Sequence, residues 1–207
     1  KNDIKKKFAG SYFGVVWAFV QPVITVLLYW FVFEKGLNSK ATDLRTGIEI
    51  PFVLWLTAGL VPWFYFQEAL NGGTGVLVEY SYLVKKVVFQ IDMLPVVKMI
   101  SALFTHLFFV AFTIVLFICM GYMPDWYALQ VIYYSFCMIL FATGLVYATS
   151  AVTVFFRDMK EVVGILLQIG MWVTPIMWNF ETMVQIPGWA IAVLKLNPMY
   201  YIVSGTR

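Results

Sequence analysis

Five long stretches without a charged side chain dominate the pattern of apolar and polar positions along this 207-residue chain. A helix rises about 1.5 Å per residue, so each stretch can cross or nearly cross a hydrocarbon core of roughly 30 Å. In lipid such stretches must be helical, because their backbone groups have no water to bond. The pattern therefore predicts an all-α, multi-pass transmembrane helical bundle formed by one domain, 1–207. The predicted spans are about 13–33, 51–70, 97–121, 126–155 and 161–180.

A sixth apolar stretch, 182–194, has only 13 residues and contains Pro187 and Gly188. That length suits a re-entrant or interfacial segment better than a span. We therefore expect a re-entrant segment at about 181–198 on the outer side. The residues that follow it would lead into a sixth span, which we expect beyond residue 207.

The distribution of lysine and arginine predicts the orientation of the bundle. With a cytoplasmic N-terminus, nine of these residues fall on the inner side and five on the outer side. The positive-inside rule then favours a cytoplasmic N-terminus. The inner connections are 72–98 and 157–161, and the outer ones are 34–49, 121–125 and the segment after 180. We expect the plasma (inner) membrane as the location.

Two segments on the predicted inner side have the pattern of amphipathic helices. Residues 1–12 place Ile4, Phe8 and Tyr12 on one face and lysines on the other, which is typical of an interface helix, although a charged tail beside a span is the alternative. In 79–91 the apolar positions recur at helical spacing after a glycine cluster at 72–75 that we expect to break the second span. This second helix can lie on lipid or dock in a groove of a soluble partner.

Composition narrows the function classes. The chain is 62% hydrophobic and only 12% charged, with a mean hydropathy of +0.84, which excludes a soluble enzyme and a disulfide scaffold. A net charge of +3 is too small to indicate a nucleic-acid partner. Membrane lipids are therefore the expected surroundings.

Candidate chemistry is sparse. The sequence contains no phosphate-binding loop of the G-x-x-x-x-G-K-[ST] type, so we expect any ATP to be hydrolysed elsewhere. The single histidine, His106, lies in the third span as either a proton relay or a polar residue bonded to a neighbouring helix. One histidine with Cys119 and Cys137 has no metal-site spacing, so we predict no metal site and no catalytic residue.

Aromatic side chains extend along much of the second span and are the remaining unusual feature. Sugars stack on aromatic faces, so these residues are a candidate carbohydrate path, with packing against other helices as the alternative. Glu68, near the inner end of the same span, can face a water-filled path or reach the interface. The candidate path residues are Trp55, Trp63, Tyr65, Phe66 and Glu68.

Seven short segments, in this order and spacing, resemble the membrane subunits of polysaccharide-exporting ABC transporters, which carry O-antigen-type glycans or teichoic acids on a lipid anchor. The resemblance covers nearly the whole chain. The segments are FGVVW (13–17), QP (21–22), LVKKVVF (83–89), MLP (93–95), FRDM (156–159), TPIMW (174–178) and LNP (196–198). The family often has proline after the phenylalanine of the third segment, where this chain has Gln90.

The resemblance implies a type-2 ABC exporter-like subunit with six spans and an N-terminal interface helix. It also implies a second copy of the chain, two separate nucleotide-binding ATPase subunits that hold ATP and Mg, and a lipid-linked glycan as substrate. The helix at 79–91 would be the coupling helix that docks on the ATPase, and the turn at 157–158 a second contact. The implied coupling residues are Tyr80, Leu83, Val84, Lys85, Lys86, Val87, Arg157 and Asp158.

Three other functions have the same span pattern or part of it. An ABC permease for a lipid or a drug would have the same spans. A membrane-embedded transferase acting on lipid-linked sugars would need acids and histidines clustered at one membrane face, and the sequence has only scattered acids. An ion channel would need pore-lining polar rings, which the pattern does not contain.

Overall fold

The structure of the chain is a computed structural model that describes residues 16–36, 41–42, 49–81, 91–123, 125–178 and 187–207. Several sequence predictions fall at least partly on other residues, including 13–15 of the first span and 179–180 of the fifth. The interface helix at 1–12, residues 82–90 of the coupling helix and residues 181–186 of the outer segment lie outside the described residues.

The described residues are almost entirely helical, which confirms the predicted all-α helical bundle. The helices are α1 (Trp17–Trp30), α2 (Phe52–Thr74), α3 (Val76–Glu79), α4 (Met93–Cys119), α5 (Gln130–Phe155), α6 (Met159–Val173), α7 (Gly188–Lys195) and α8 (Pro198–Gly205). A π-helical turn, Phe31–Gly36, extends α1, and a 3₁₀ turn, Trp126–Leu129, precedes α5. Two short antiparallel strands, β1 (Ala41–Thr42) and β2 (Glu49–Ile50), pair before α2.

Helix α2 is the centre of the bundle. Of its 23 residues, 17 are buried, and it packs against α1, α4, α5, α6 and α8. An apolar helix buried on all sides is typical of a core helix rather than of one facing lipid along its length. The motions of α2 are therefore linked to those of most of the bundle.

Within the described ranges, three segments are long and apolar enough to cross a membrane: Trp17–Gly36, Met93–Cys119 and Trp126–Phe155. Large apolar side chains project outward from them, among them Leu28, Phe104, Leu107, Ile132 and Phe136. Exposing so many apolar side chains to water would cost free energy, whereas contact with lipid or with another helix would not. The outward faces fit an integral membrane protein.

Among the helix ends that differ from the sequence-based boundaries, two have a local explanation. In the described part of the predicted span 161–180, the helix ends at Val173, because Thr174 precedes Pro175 and adopts an extended conformation with ψ 130°. Conversely, α2 continues through Gly72 and Gly73 and ends only before Gly75. Glycine at position 73 allows a close approach to α5, because a Cβ atom there would collide with the side chain of Val146.

This close approach gives a stability prediction. Gly73→Ala should overpack the crossing of α2 and α5 and destabilise the folded bundle by about 1–3 kcal/mol. Val146→Ala, which removes the colliding methyl groups, should restore most of that loss in the double variant. The measurement is the midpoint of thermal unfolding of the full-length protein in detergent.

Gly144→Ala is the matched control, because a Cβ at Gly144 meets no atom within 4 Å. It should leave the midpoint unchanged. Equal midpoints for Gly73→Ala and Gly144→Ala would contradict the close approach.

Candidate functional site

A small cluster of side chains joins the residues on either side of 82–90. Val76, Tyr80 and Leu94 form a buried apolar contact between α3 and the start of α4. Lys98 Nζ lies 3.5 Å from Glu79 Oε2 and 5.3 Å from the centroid of the Tyr80 ring. A salt bridge and a cation–π contact therefore reinforce the apolar cluster between the end of α3 and the start of α4.

The second predicted partner contact lies at the same end of the bundle. Arg157 and Asp158 are exposed in the turn between α5 and α6. Lys160 follows them closely, and its Cδ would lie 3.5 Å from a Cβ built on Gly75, at the start of α3. The turn and the cluster beside 82–90 are thus neighbours, although about 75 residues separate them in sequence.

The predicted coupling residues divide into three groups. Arg157 and Asp158 are exposed, whereas Tyr80 is buried in the apolar cluster with Val76 and Leu94. The remaining five lie outside the described residues. They are Leu83, Val84, Lys85, Lys86 and Val87.

Hydroxyl groups fasten α2 to α5 at this end. Thr74 Oγ1 and Thr149 Oγ1 are 2.9 Å apart in a buried hydrogen bond. Thr149 and Thr153 also donate to carbonyl groups of α5 itself. The contact fixes the end of α2 from which α3 continues.

The aromatic side chains predicted as a path are buried within the subunit. Trp55, Trp63, Tyr65 and Phe66 are each at most 6% exposed. Trp63 packs against Gly170 on α6, where a Cβ would lie 2.9 Å from its ring. These contacts are those of a packed core, whereas Glu68 is half-buried.

Two ring contacts show how these aromatics hold neighbouring helices. Phe66 stacks on Phe141 of α5, with ring centroids 5.6 Å apart and an interplanar angle of 2°. The ring centroids of Tyr65 and His106, which is on α4, are 5.3 Å apart. The second span thus uses its aromatics to bind α4, α5 and α6.

His106 bonds to a neighbouring helix. It is 4% exposed, and its Nε2 lies 3.1 Å from Ser135 Oγ on α5. No group of three or more His, Cys, Asp or Glu side chains in the described part of the chain could hold a metal ion. His106 is thus bonded to a neighbouring helix through Nε2, while its buried Nδ1 has no hydrogen-bond partner among the described residues.

A cavity of about 560 Å³ opens between α2, α4, α5 and α8. Apolar side chains such as Val61, Val110 and Ile114 line much of it. Its polar lining includes His106, Ser135, Thr113, Gln130 and Arg207. The five predicted path residues do not line this cavity, which sequence reasoning missed because it forms from four helices distant in sequence.

Comparison with known proteins extends this description. The whole chain, 1–207, matches the family model described as "ABC-2 type transporter". It is 25% identical to the O-antigen export system permease protein RfbA of Myxococcus xanthus over 99% of this chain and 75% of that protein. It is 22% identical to RfbA of Klebsiella pneumoniae over 100% of this chain and 76% of that protein. It is 22% identical to the polysialic acid transport protein KpsM of Escherichia coli over 100% of this chain and 77% of that protein.

Proposed function

This chain belongs to the ABC-2 type transporter family, and on that premise we propose that it is the transmembrane subunit of an ATP-driven exporter of a lipid-linked polysaccharide or teichoic acid. The cargo would move from the cytoplasm to the outer side of the plasma membrane. The observation that carries the proposal is the match along the entire chain to permeases whose names specify O-antigen or polysialic acid transport.

ATP would act from a separate subunit. Residues 1–207 contain no phosphate-binding loop of the G-x-x-x-x-G-K-[ST] type. Two ATPase subunits, each with ATP and Mg, would therefore supply the energy, and this chain would carry no cofactor of its own.

The ATPase would contact the end of the bundle at Thr74. The cluster of Val76, Tyr80 and Leu94 joins the chain before residue 82 to the chain after residue 90. The exposed turn at Arg157 and Asp158 lies beside that cluster and offers a second contact. Because α3 directly follows α2, a force on the segment at 79–91 acts on the central helix.

A second copy of the chain would complete the path. The outward apolar faces of α1, α4 and α5 are available for lipid and for a partner bundle. Closed symmetric dimers are the commonest assembly, and two copies can enclose a path that one bundle does not. With the N-terminus in the cytoplasm, the Thr74 end faces the ATPase, and the segment after 180 closes the outer side.

The aromatic residues of α2 would then act on the path indirectly, by fixing the position of α2. Trp55, Trp63, Tyr65 and Phe66 fix α2 against its neighbours, as their burial indicates. Glu68 is half-buried and remains the better candidate for a direct contact with cargo.

The test is ATP hydrolysis by the full-length protein assembled with its ATPase in nanodiscs. A lipid-linked polysaccharide should stimulate hydrolysis, and the same polymer without its lipid should not. Stimulation only by membrane lipids or hydrophobic drugs would assign the chain to a different permease class. Release of a modified sugar without ATP would instead indicate a transferase.

A further inference from the structure

Thr206 and Arg207 fasten α8 to the central helix. Thr206 Oγ1 donates to the carbonyl oxygen of Ala58 at 3.1 Å. That carbonyl is available because Pro62, four residues later in α2, has no N–H group to donate to it. The free carbonyl of the proline-containing helix is thus satisfied from a distant part of the chain.

Arg207 joins three elements at once. Its guanidinium carbon lies 3.4 Å from the centroid of the Trp55 ring on α2. Its Nη1 donates to the carbonyl of Pro175 at 2.8 Å, and its Nη2 donates to the carbonyl of Ile176. Both acceptors belong to the turn that follows α6, so one side chain holds α2, this turn and the end of α8.

Gly59 makes room for this arrangement. A Cβ built there would lie 2.6 Å from Nη2 of Arg207, so any larger residue would push the guanidinium away. A second link runs from the other end of α8, where Asn197 Nδ2 donates to Thr174 Oγ1 at 3.0 Å. We call Trp55, Ala58, Gly59, Thr206 and Arg207 the clamp.

The clamp and the proposed ATPase contact lie at opposite ends of one helix. The clamp contacts α2 near its start. At the last turn of α2, Thr74 is hydrogen-bonded to Thr149, and α3 follows directly. A buried helix fastened at both ends transmits displacement as a rigid element, since packed cores do not deform continuously.

We propose that Arg207 is a positioning residue which makes the turn after α6 and helix α8 move together with α2 during transport. This inference rests on the proposed function, because it needs an ATPase that moves the other end of α2. Its consequence is coupling: without the clamp, ATP would still be hydrolysed, but the turn after α6 and helix α8 would no longer move together with α2.

The experiment compares Arg207→Gln and Gly59→Ala in the full-length transporter reconstituted in liposomes. Polymer exported per ATP hydrolysed should fall about tenfold in both, as expected for loss of a coupling contact. Basal hydrolysis and subunit assembly should remain at the wild-type level. Gly144→Ala adds the same methyl group to a glycine with open space and should keep the wild-type ratio.

Gly59→Ala keeps residue 207 as arginine but displaces its guanidinium. Combining it with Arg207→Gln should add no further loss, because both changes break the same contact. A wild-type ratio in both single variants would overturn the clamp. If the wild-type transporter exported no polymer, the proposed function would fail instead.

Hydrogen exchange in α8 provides a reading that does not depend on transport. Exchange should be about tenfold faster in Arg207→Gln and Gly59→Ala, because a hydrogen bond to a charged group is lost or displaced. Unchanged exchange in both variants would overturn the clamp even where export cannot be measured.

Discussion

Replacing Leu83 or Val87 with aspartate is expected to weaken association with the ATPase subunit at least tenfold. Both residues lie on the apolar stripe of the predicted helix at 79–91. A carboxylate introduced into an apolar groove loses its hydration without gaining a partner, and truncating or charging a central contact costs roughly 2 kcal/mol or more. The measurement is the amount of ATPase that co-purifies with the tagged full-length protein.

Leu83→Met is the matched control, since it keeps an apolar side chain of similar volume. It should co-purify as the wild type does, and all variants should insert into the membrane equally. Undiminished co-purification of both aspartate variants would remove 79–91 from the ATPase contact.

Replacing Trp63 with alanine is expected to destabilise the bundle by about 3–5 kcal/mol, the usual cost of removing a large buried aromatic. Trp63 is 2% exposed and packs against Gly170 and Phe66. The expected result is a large loss of folded, monodisperse protein, measured by size-exclusion chromatography after extraction.

Trp126→Ala is the control, because Trp126 is 84% exposed and its removal leaves no internal cavity. It should give the wild-type amount of folded protein. If Trp63→Ala instead folded normally and lost only the stimulation by polymer, Trp63 would belong to the path and not to the core.

The helices were predictable because lipid forces charge-free stretches to be helical. That argument predicts α5, which lies within the uncharged stretch 126–156, and most of α4, which begins at Met93 and so includes Lys98. It fails at residue 173, because a hydropathy pattern does not register the extended conformation that Pro175 imposes on Thr174. It also fails at Gly73, where tertiary packing overrides the low helix propensity of glycine.

The sites were less predictable because they depend on side chains brought together from distant positions. Pro62 predicts that the carbonyl of Ala58 lacks its helical donor, but the group that donates to this carbonyl, the Thr206 hydroxyl, lies 148 residues away. In the same way, burial of Trp63 depends on a glycine of α6 that no spacing rule connects to it. Periodicity describes one helix at a time and does not assign its faces to particular neighbours.

Export across a sealed membrane tests the central claim most directly. Inside-out vesicles containing the full-length chain and its ATPase would receive a lipid-linked polysaccharide on the outer surface, together with ATP and Mg. The polymer should enter the lumen and become resistant to an added glycosidase, and only when ATP is hydrolysed. Equal digestion with and without ATP, in vesicles that retain ATPase activity, would contradict the assignment of this chain as a polysaccharide exporter subunit.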